Sequence, residues 1–516
     1  VSVVEHKNQQ DRGRFVMTQL PPKFRLRPLS AAVMLAALSA NAAAVPVNWA
    51  PNADGFWDVT TNWSSNPALP GAADDVTIDV GGATVRTITF RSGAATINSL
   101  TSQENLALTG GTLTLNNAST ISAGFTHNGG ILAGSGNLTV GGASEWGTSG
   151  FSSSTMSGTG ITQFDASLAI TGAGLHDLGA GRNLVTAGTT TWTNSAGNGG
   201  QIRMGVNARV ENRGLWFDNT SVSTSINAGL GGGSFVNTAS GVYQKTTATT
   251  TNFGTVFSNE GSVDVGNGAV QLTGGGTLNG SYSIASGATL ELGGGTFALN
   301  STSVALNGRL LVSSGTVNQA GALTPSGTGA LELSGGTLNV GGSVDVVSFN
   351  QSGGTLGGTG TVTVSGASSL STPGFSSATM TGTGTTRFDG ALSVTGAGLH
   401  DFAAGRRLLT TGTTTWTNSS GNGGQFRLGV NAVIENRGLW LDNTSVSTSI
   451  NGGLGGGTYV NTASGTYRKT GGTTTTISTV MNNDGLVEIQ NGVLELGGGG
   501  THTGDFVMSG PGVLSV

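Results

Sequence analysis

Three consecutive stretches in the middle of the chain share one rhythm: GATLELGGGTFALNSTSVALN, GRLLVSSGTVNQAGALTPSGT and GALELSGGTLNVGGSVDVVSFN. Leu290, Leu310 and Leu331 recur at intervals of 20 and 21 residues, and Phe297, Val317 and Leu338 keep the same intervals. Each unit holds two apolar strands about seven residues apart, too few to bury themselves, so the units must stack. Gly and Asn between the strands supply corners with positive φ. The period predicts an all-β chain: a right-handed parallel β-helix (β-solenoid) with coils of about 20 residues and an N-terminal aromatic cap. At about 4.8 Å per coil, roughly 20 coils would build a rod on the order of 100 Å long.

Composition agrees with a large packed core. The chain is 36% hydrophobic with a net charge of −5, unlike a disordered chain. Gly has no three-residue period and Pro numbers only 10, which excludes collagen. The 21 Lys and Arg are thinly spread, so no nucleic-acid partner is expected. Cysteine is absent, so no disulfide can hold the fold, and such a chain suits passage unfolded across a second membrane.

Met17 opens a secretory pattern. Lys23, Arg25 and Arg27 precede an apolar run from Leu29 to Ala40, and Asn41-Ala42-Ala43-Ala44 forms a small-residue cleavage site. The run is too short to span a bilayer, and no later segment reads as a transmembrane helix. The organisation expected is a non-native upstream start at 1–16, a signal peptide at 17–44, and a cap with first coils at 45–100. A β-helix block at 101–270, linking coils at 271–325, a second copy of the block at 326–494 and a truncated last coil at 495–516 complete it.

The two copies are the second strong signal. TTTWTNSAGNGGQIRMGV at 189–206 and TTTWTNSSGNGGQFRLGV at 413–430 differ at three positions. Trp192 and Trp416 lie 224 residues apart, as do His176 and His400, and the match runs from Gly129/Gly353 to Asn267/Asn491. Ile202/Phe426 and Met204/Leu428 exchange apolar side chains, as core positions tolerate. Asn212, Asn237 and Asn259 stand before Gly in successive coils. They could stack with their amides bonded along the axis, or serve ordinary turns.

Within the block, a sugar-cleaving site would need converging carboxylates, and Asp177, Glu211 and Asp218 are the candidates. Adjacent His176-Asp177 and His400-Asp401 point to opposite faces of a strand and cannot form a dyad there. ADDVTID, with Asp74, Asp75 and Asp79, lacks the spacing of calcium-binding β-rolls, and the five His residues lack paired-ligand spacing. GLGGGS is followed by no Lys-Ser/Thr and no helix, so it is no phosphate loop. Thr runs at 189–191, 246–251, 413–415 and 473–476 are confined to particular coils, whereas ice binding needs a Thr pair in every coil. No enzyme, metal or cofactor is expected. The candidate binding surface is an exposed set of Trp192, Arg203, Arg213, Trp216 and Asp218, repeated as Trp416, Arg427, Arg437, Trp440 and Asp442.

At the start of the expected mature chain, Trp49, Trp57 and Trp63 fall within fifteen positions of NWAPNADGFWDVTTNWSSNPALPGAADDVTI. An open solenoid end needs a lid, and bulky aromatics with a polar rim would provide one. This segment, with LALTGGTLTLNN, GATLELGGGTF and GGTLNGSYSI further on, resembles exported autotransporter passengers and filamentous-haemagglutinin-like β-helix repeat proteins. The resemblance covers nearly all of the expected mature chain. It implies an adhesive or structural rod, exported to the extracellular or outer-membrane surface of a Gram-negative bacterium. Glycan or protein surfaces, and self-association, are the partners implied. THTGDFVMSGPGVLSV ends in mid-coil, so the chain is expected to be a fragment whose outer-membrane anchor or translocator lies elsewhere. A secreted polysaccharide lyase or hydrolase, or a self-assembling matrix protein, are the alternatives.

Overall fold

The computed structural model describes residues 44–301 and 303–516. The expected upstream start, and the signal peptide apart from Ala44, lie outside the described residues. From Val45 onward the chain winds as an all-β parallel solenoid of about 20 turns. The one helical segment among the described residues is a 3-10 turn at Thr60–Asn62. No described helix is long and apolar enough to cross a membrane.

Each coil contributes three strands. In one coil these are Ile161–Phe164, Leu168–Thr171 and Leu175–Leu178, and in the next Asn183–Thr186, Thr189–Trp192 and Ile202–Gly205. They stack in parallel register, Thr162 on Leu184, Leu168 on Thr190 and His176 on Ile202. Three faces result, here numbered one to three in chain order. Faces one and three share a 40-stranded sheet, while face two forms a 12-stranded and an 8-stranded sheet.

The rhythm of the linking coils is read directly in this stacking. Leu290 lies on Leu310 and Leu310 on Leu331, while Phe297 lies on Val317 and Val317 on Leu338. The third strand is short there, at Val304–Leu306 and Ala322–Leu323, so the sequence period shows two strands where the fold has three. Coils average about 22 residues rather than 20. The blocks carry longer loops: from His176 to its partner Ile202 the chain takes 26 residues because 193–201 leaves the coil.

Strand alternation places Leu, Ile, Val, Phe and Trp in the bore with polar neighbours outside, giving the recurring buried-every-second-residue pattern. Corners demand glycine where successive coils touch. Gly134 and Gly158 both have positive φ, and a Cβ at Gly158 would fall 2.3 Å from the Gly134 carbonyl oxygen. Among described non-glycine residues only Asn207 and its duplicate Asn431 adopt positive φ, both 58°.

The second copy does not repeat the first in place. Thr189–Trp192 lies in the 12-stranded sheet of face two, but Thr413–Trp416 lies in the 40-stranded sheet, on face three. Arg209–Asn212 belongs to face one, and its duplicate Val433–Asn436 to the 8-stranded sheet of face two. Following the pairings through the linking coils, where Thr289–Leu299 and Arg309–Gln319 each serve two faces, the copies stand ten coils and one further strand apart. Every element of the block therefore reappears on the next face round.

Candidate functional site

The tryptophans expected at the surface are in the bore. Trp192, Trp216, Trp416 and Trp440 have no exposure at all. Trp192 meets Trp216 edge-on at 6.2 Å, and Trp216 meets Phe235 at 5.2 Å. The second copy repeats the column with Trp416, Trp440 and Tyr459. Indole Nε1 of Trp192 donates to the Gly200 carbonyl at 3.3 Å, tying the 193–201 loop to the core. Alternation is the reason: each Trp occupies an inward strand position, so none can meet a ligand outside.

Asp218 and Asp442 are also corrected from surface to interior. Two residues after Trp216, Asp218 shares its inward direction and is fully buried. Its carboxylate accepts from Tyr243 Oη at 2.5 Å, Thr251 Oγ1 at 2.6 Å and Thr220 Oγ1 at 2.8 Å, with Lys245 Nζ at 3.5 Å. Lys245 in turn donates to Thr247 and Thr249. Asp442, Tyr467, Thr475, Thr444 and Lys469 repeat the arrangement. Burial pulls the Lys245 ammonium below its ordinary range despite Asp218. The DNTS passages and the Thr runs at 246–251 and 473–476 thus furnish buried polar cores that pair one charge with another.

The candidate arginines do reach the surface, each on a carboxylate. Arg203 donates through Nε and Nη2 to Asp177, both at 2.7 Å, and Arg427 does the same to Asp401 at 2.7 and 2.6 Å. Those carboxylates hold both guanidiniums above their usual range. Arg213 binds Glu211 at 2.5 Å, and Arg209 completes a clamp at 2.7 Å. In the second copy Val433 replaces Arg209, yet Glu435 still holds two arginines. Arg437 occupies the place of Arg213, and Arg407, which replaces Asn183 one coil away, supplies the other. The clamp survives although its second arginine comes from a different strand.

Asp177, Glu211 and Asp218 do not converge. They sit on strands of faces three, one and two, and each is occupied by a cation. His176 and Asp177 diverge as strand geometry requires: Asp177 faces Arg203, while the buried His176 Nε2 lies 3.0 Å from the Trp146 carbonyl and 3.1 Å from that of Thr171. Burial pushes His176 down to about 4. No group of three potential metal ligands occurs among the described residues. An open groove of about 600 Å³ where the first block meets the linking coils is lined by Ser262, Asp264, Ser281, Ser283 and Thr324, and no candidate residue borders it.

The Asn expectation holds in its stronger form. Asn212 Nδ2 donates to Asn237 Oδ1 at 2.8 Å, and Asn237 to Asn259 at 2.7 Å; Asn436, Asn461 and Asn483 repeat the ladder. All six are fully buried. This is scaffold, not surface. Arg182 and Arg406 went unnoticed in the sequence: both are buried without a carboxylate and donate to Thr162 and Thr386 and to corner carbonyls.

The exposed aromatic of each copy is one the sequence reading passed over. Phe151 is 75% exposed and Phe375 is 78% exposed, at the same place in the two blocks. A Cβ on Gly197 would lie 3.3 Å from the Phe151 ring, and one on Gly421 would lie 3.7 Å from Phe375. The ring therefore leans on the loop leading into the strand of Arg203 or Arg427. Beyond it runs an outward row of Thr155, Asp177, Arg203 and Asn227, matched by Thr379, Asp401, Arg427 and Asn451. A usable signal existed: GFSS recurs unchanged at 150–153 and 374–377, although Ser149 has become Pro373 beside it.

Trp49, Trp57 and Trp63 behave as a unit. Trp63 packs on Trp49 at 5.0 Å and on Trp57 at 4.7 Å, and its Nε1 donates to the Trp57 carbonyl at 2.8 Å. All three are buried at the first described coils. No protein-family model, no curated protein and no solved structure matches this chain.

Proposed function

We propose that this chain is an exported scaffold of the autotransporter-passenger or filamentous-haemagglutinin-like kind, wound right-handed, which adheres weakly through a surface patch carried in duplicate. In this reading the Trp49–Trp57–Trp63 cluster closes the N-terminal end, and the secretory pattern from Met17 directs export to the cell surface. The observation that carries adhesion is the exposed phenylalanine, present in both copies where it leans on an uncharged loop. An apolar ring that stays in water gains only when a partner covers it. That loop, 193–201 or 417–425, offers amides, hydroxyls and small apolar residues and carries no charge. Such a patch fits an uncharged glycan, whose CH face stacks on the ring while its hydroxyls meet the amides and hydroxyls of the loop.

Binding to a panel of dextran, galactomannan and xyloglucan tests this. The chain should retain at least one of them. Phe151→Ala with Phe375→Ala should weaken that binding by about tenfold or more, the equivalent of ~1.4 kcal/mol. Retention unaffected by the double substitution, or no retention by any of the three, contradicts the reading.

A further inference from the structure

We infer that the two copies bridge two separate partners instead of gripping one surface together. This rests on the adhesive reading of the Phe151 and Phe375 patches. The sequence suggests the opposite arrangement, because equal patches along a straight shaft would multiply their affinity for one surface. Strand pairing removes that possibility. The first phenylalanine leads into the strand Ser153–Met156 on face three, in line with Leu178 and Met204 on the following coils. The second leads into the strand Ser377–Met380 on face one, in the line that descends from Phe297 through Val317, Leu338 and Leu356 to Met380. The offset of ten coils sets the patches about 50 Å apart along the axis. The additional strand turns the second onto the neighbouring face.

A plane laid against one patch cannot lie against the other. Effective concentration at the second site is then near zero for a single surface, and avidity vanishes. Had the linking coils held one strand fewer or two more, the faces would coincide. The duplication retains the Phe and the uncharged loop it leans on, while the linking coils decide where the second copy looks.

Beads coated with the polysaccharide that the chain retains from the same panel test this, with turbidity reporting bridging and fluorescent protein reporting coating. The wild-type chain should aggregate the beads. Phe151→Ala alone or Phe375→Ala alone should abolish aggregation, while still coating each bead with an affinity unchanged within about twofold. Aggregation that persists in both single variants overturns the inference. So does wild-type coating without aggregation, especially if each single variant then binds a bead tenfold or more weakly, which is the signature of two patches on one surface. Failure of the wild-type chain to coat any bead overturns the adhesive reading and this inference with it.

Discussion

Replacing Asp218 with Ala is expected to destabilise its coil by about 3–5 kcal/mol, because it strands the Lys245 ammonium in the bore. The pair is fully buried, and the carboxylate is the one counter-charge paired with it among the described residues. Tyr243 and Thr251 lose their acceptor in the same step. The chain carries its own control in Asp442 and Lys469, ten coils and one strand away. Hydrogen exchange should therefore show protection lost over Leu215–Asp218 and Val242–Lys245 and kept over Leu439–Asp442 and Thr466–Lys469. Adding Lys245→Met to Asp218→Ala should recover more than half of the loss, since two apolar side chains need no partner. Equal protection in the two copies of the single variant would show that the pair contributes nothing.

Acid should weaken the solenoid through its buried histidines. His127, His176 and His400 are buried, and the cost of enclosing a charge depresses them to about 3, 4 and 4. A base depressed in the folded state takes up its proton on unfolding. Stability is thus full above about pH 6.5 and falls as pH drops toward 4 and then 3, below which no further loss accrues from these groups. Each histidine accounts for about 3–5 kcal/mol over that window. The second copy shows how to remove one of them. Gln351 stands where His127 stands, and its amide reaches the Gly354 carbonyl at 3.4 Å just as His127 reaches that of Gly130 at 3.3 Å. His127→Gln should leave the denaturant midpoint at pH 8 nearly unchanged and raise it at pH 4.5. A midpoint independent of pH between 8 and 4.5 in the wild type contradicts this account.

The architecture was legible because β-solenoid stacking writes itself into the period. Leu290, Leu310 and Leu331 announce their own register, and the Asn212–Asn237–Asn259 spacing announces a ladder. What escaped was the third strand, reduced to Ala322–Leu323 where the period is clearest, and with it the count of faces. The candidate site failed for a related reason. Trp and Asp were read as surface residues by type, whereas position in the strand decides: Trp216 and Asp218 share the inward parity of Trp192 and Thr190. A buried Asp was legible only jointly with Lys245, Tyr243 and the Thr run a coil later, which no local window contains. Arg203 and Arg427 lie outside the bore on carboxylates one coil and 26 residues upstream, a pairing that no local window contains either. The face offset is not a local property at all. It is the remainder left when a 224-residue spacing is divided into coils of unequal length, and only the pairings supply that remainder.

The absence of cysteine allows the offset to be seen directly. Ser152→Cys and Ser376→Cys place single thiols next to Phe151 and Phe375, and each can carry biotin and one monovalent streptavidin for electron microscopy. Two densities about 50 Å apart along the axis, projecting from neighbouring faces of the three-dimensional reconstruction, are expected. Two densities on the same side of the solenoid would contradict the offset and, with it, the bridging role.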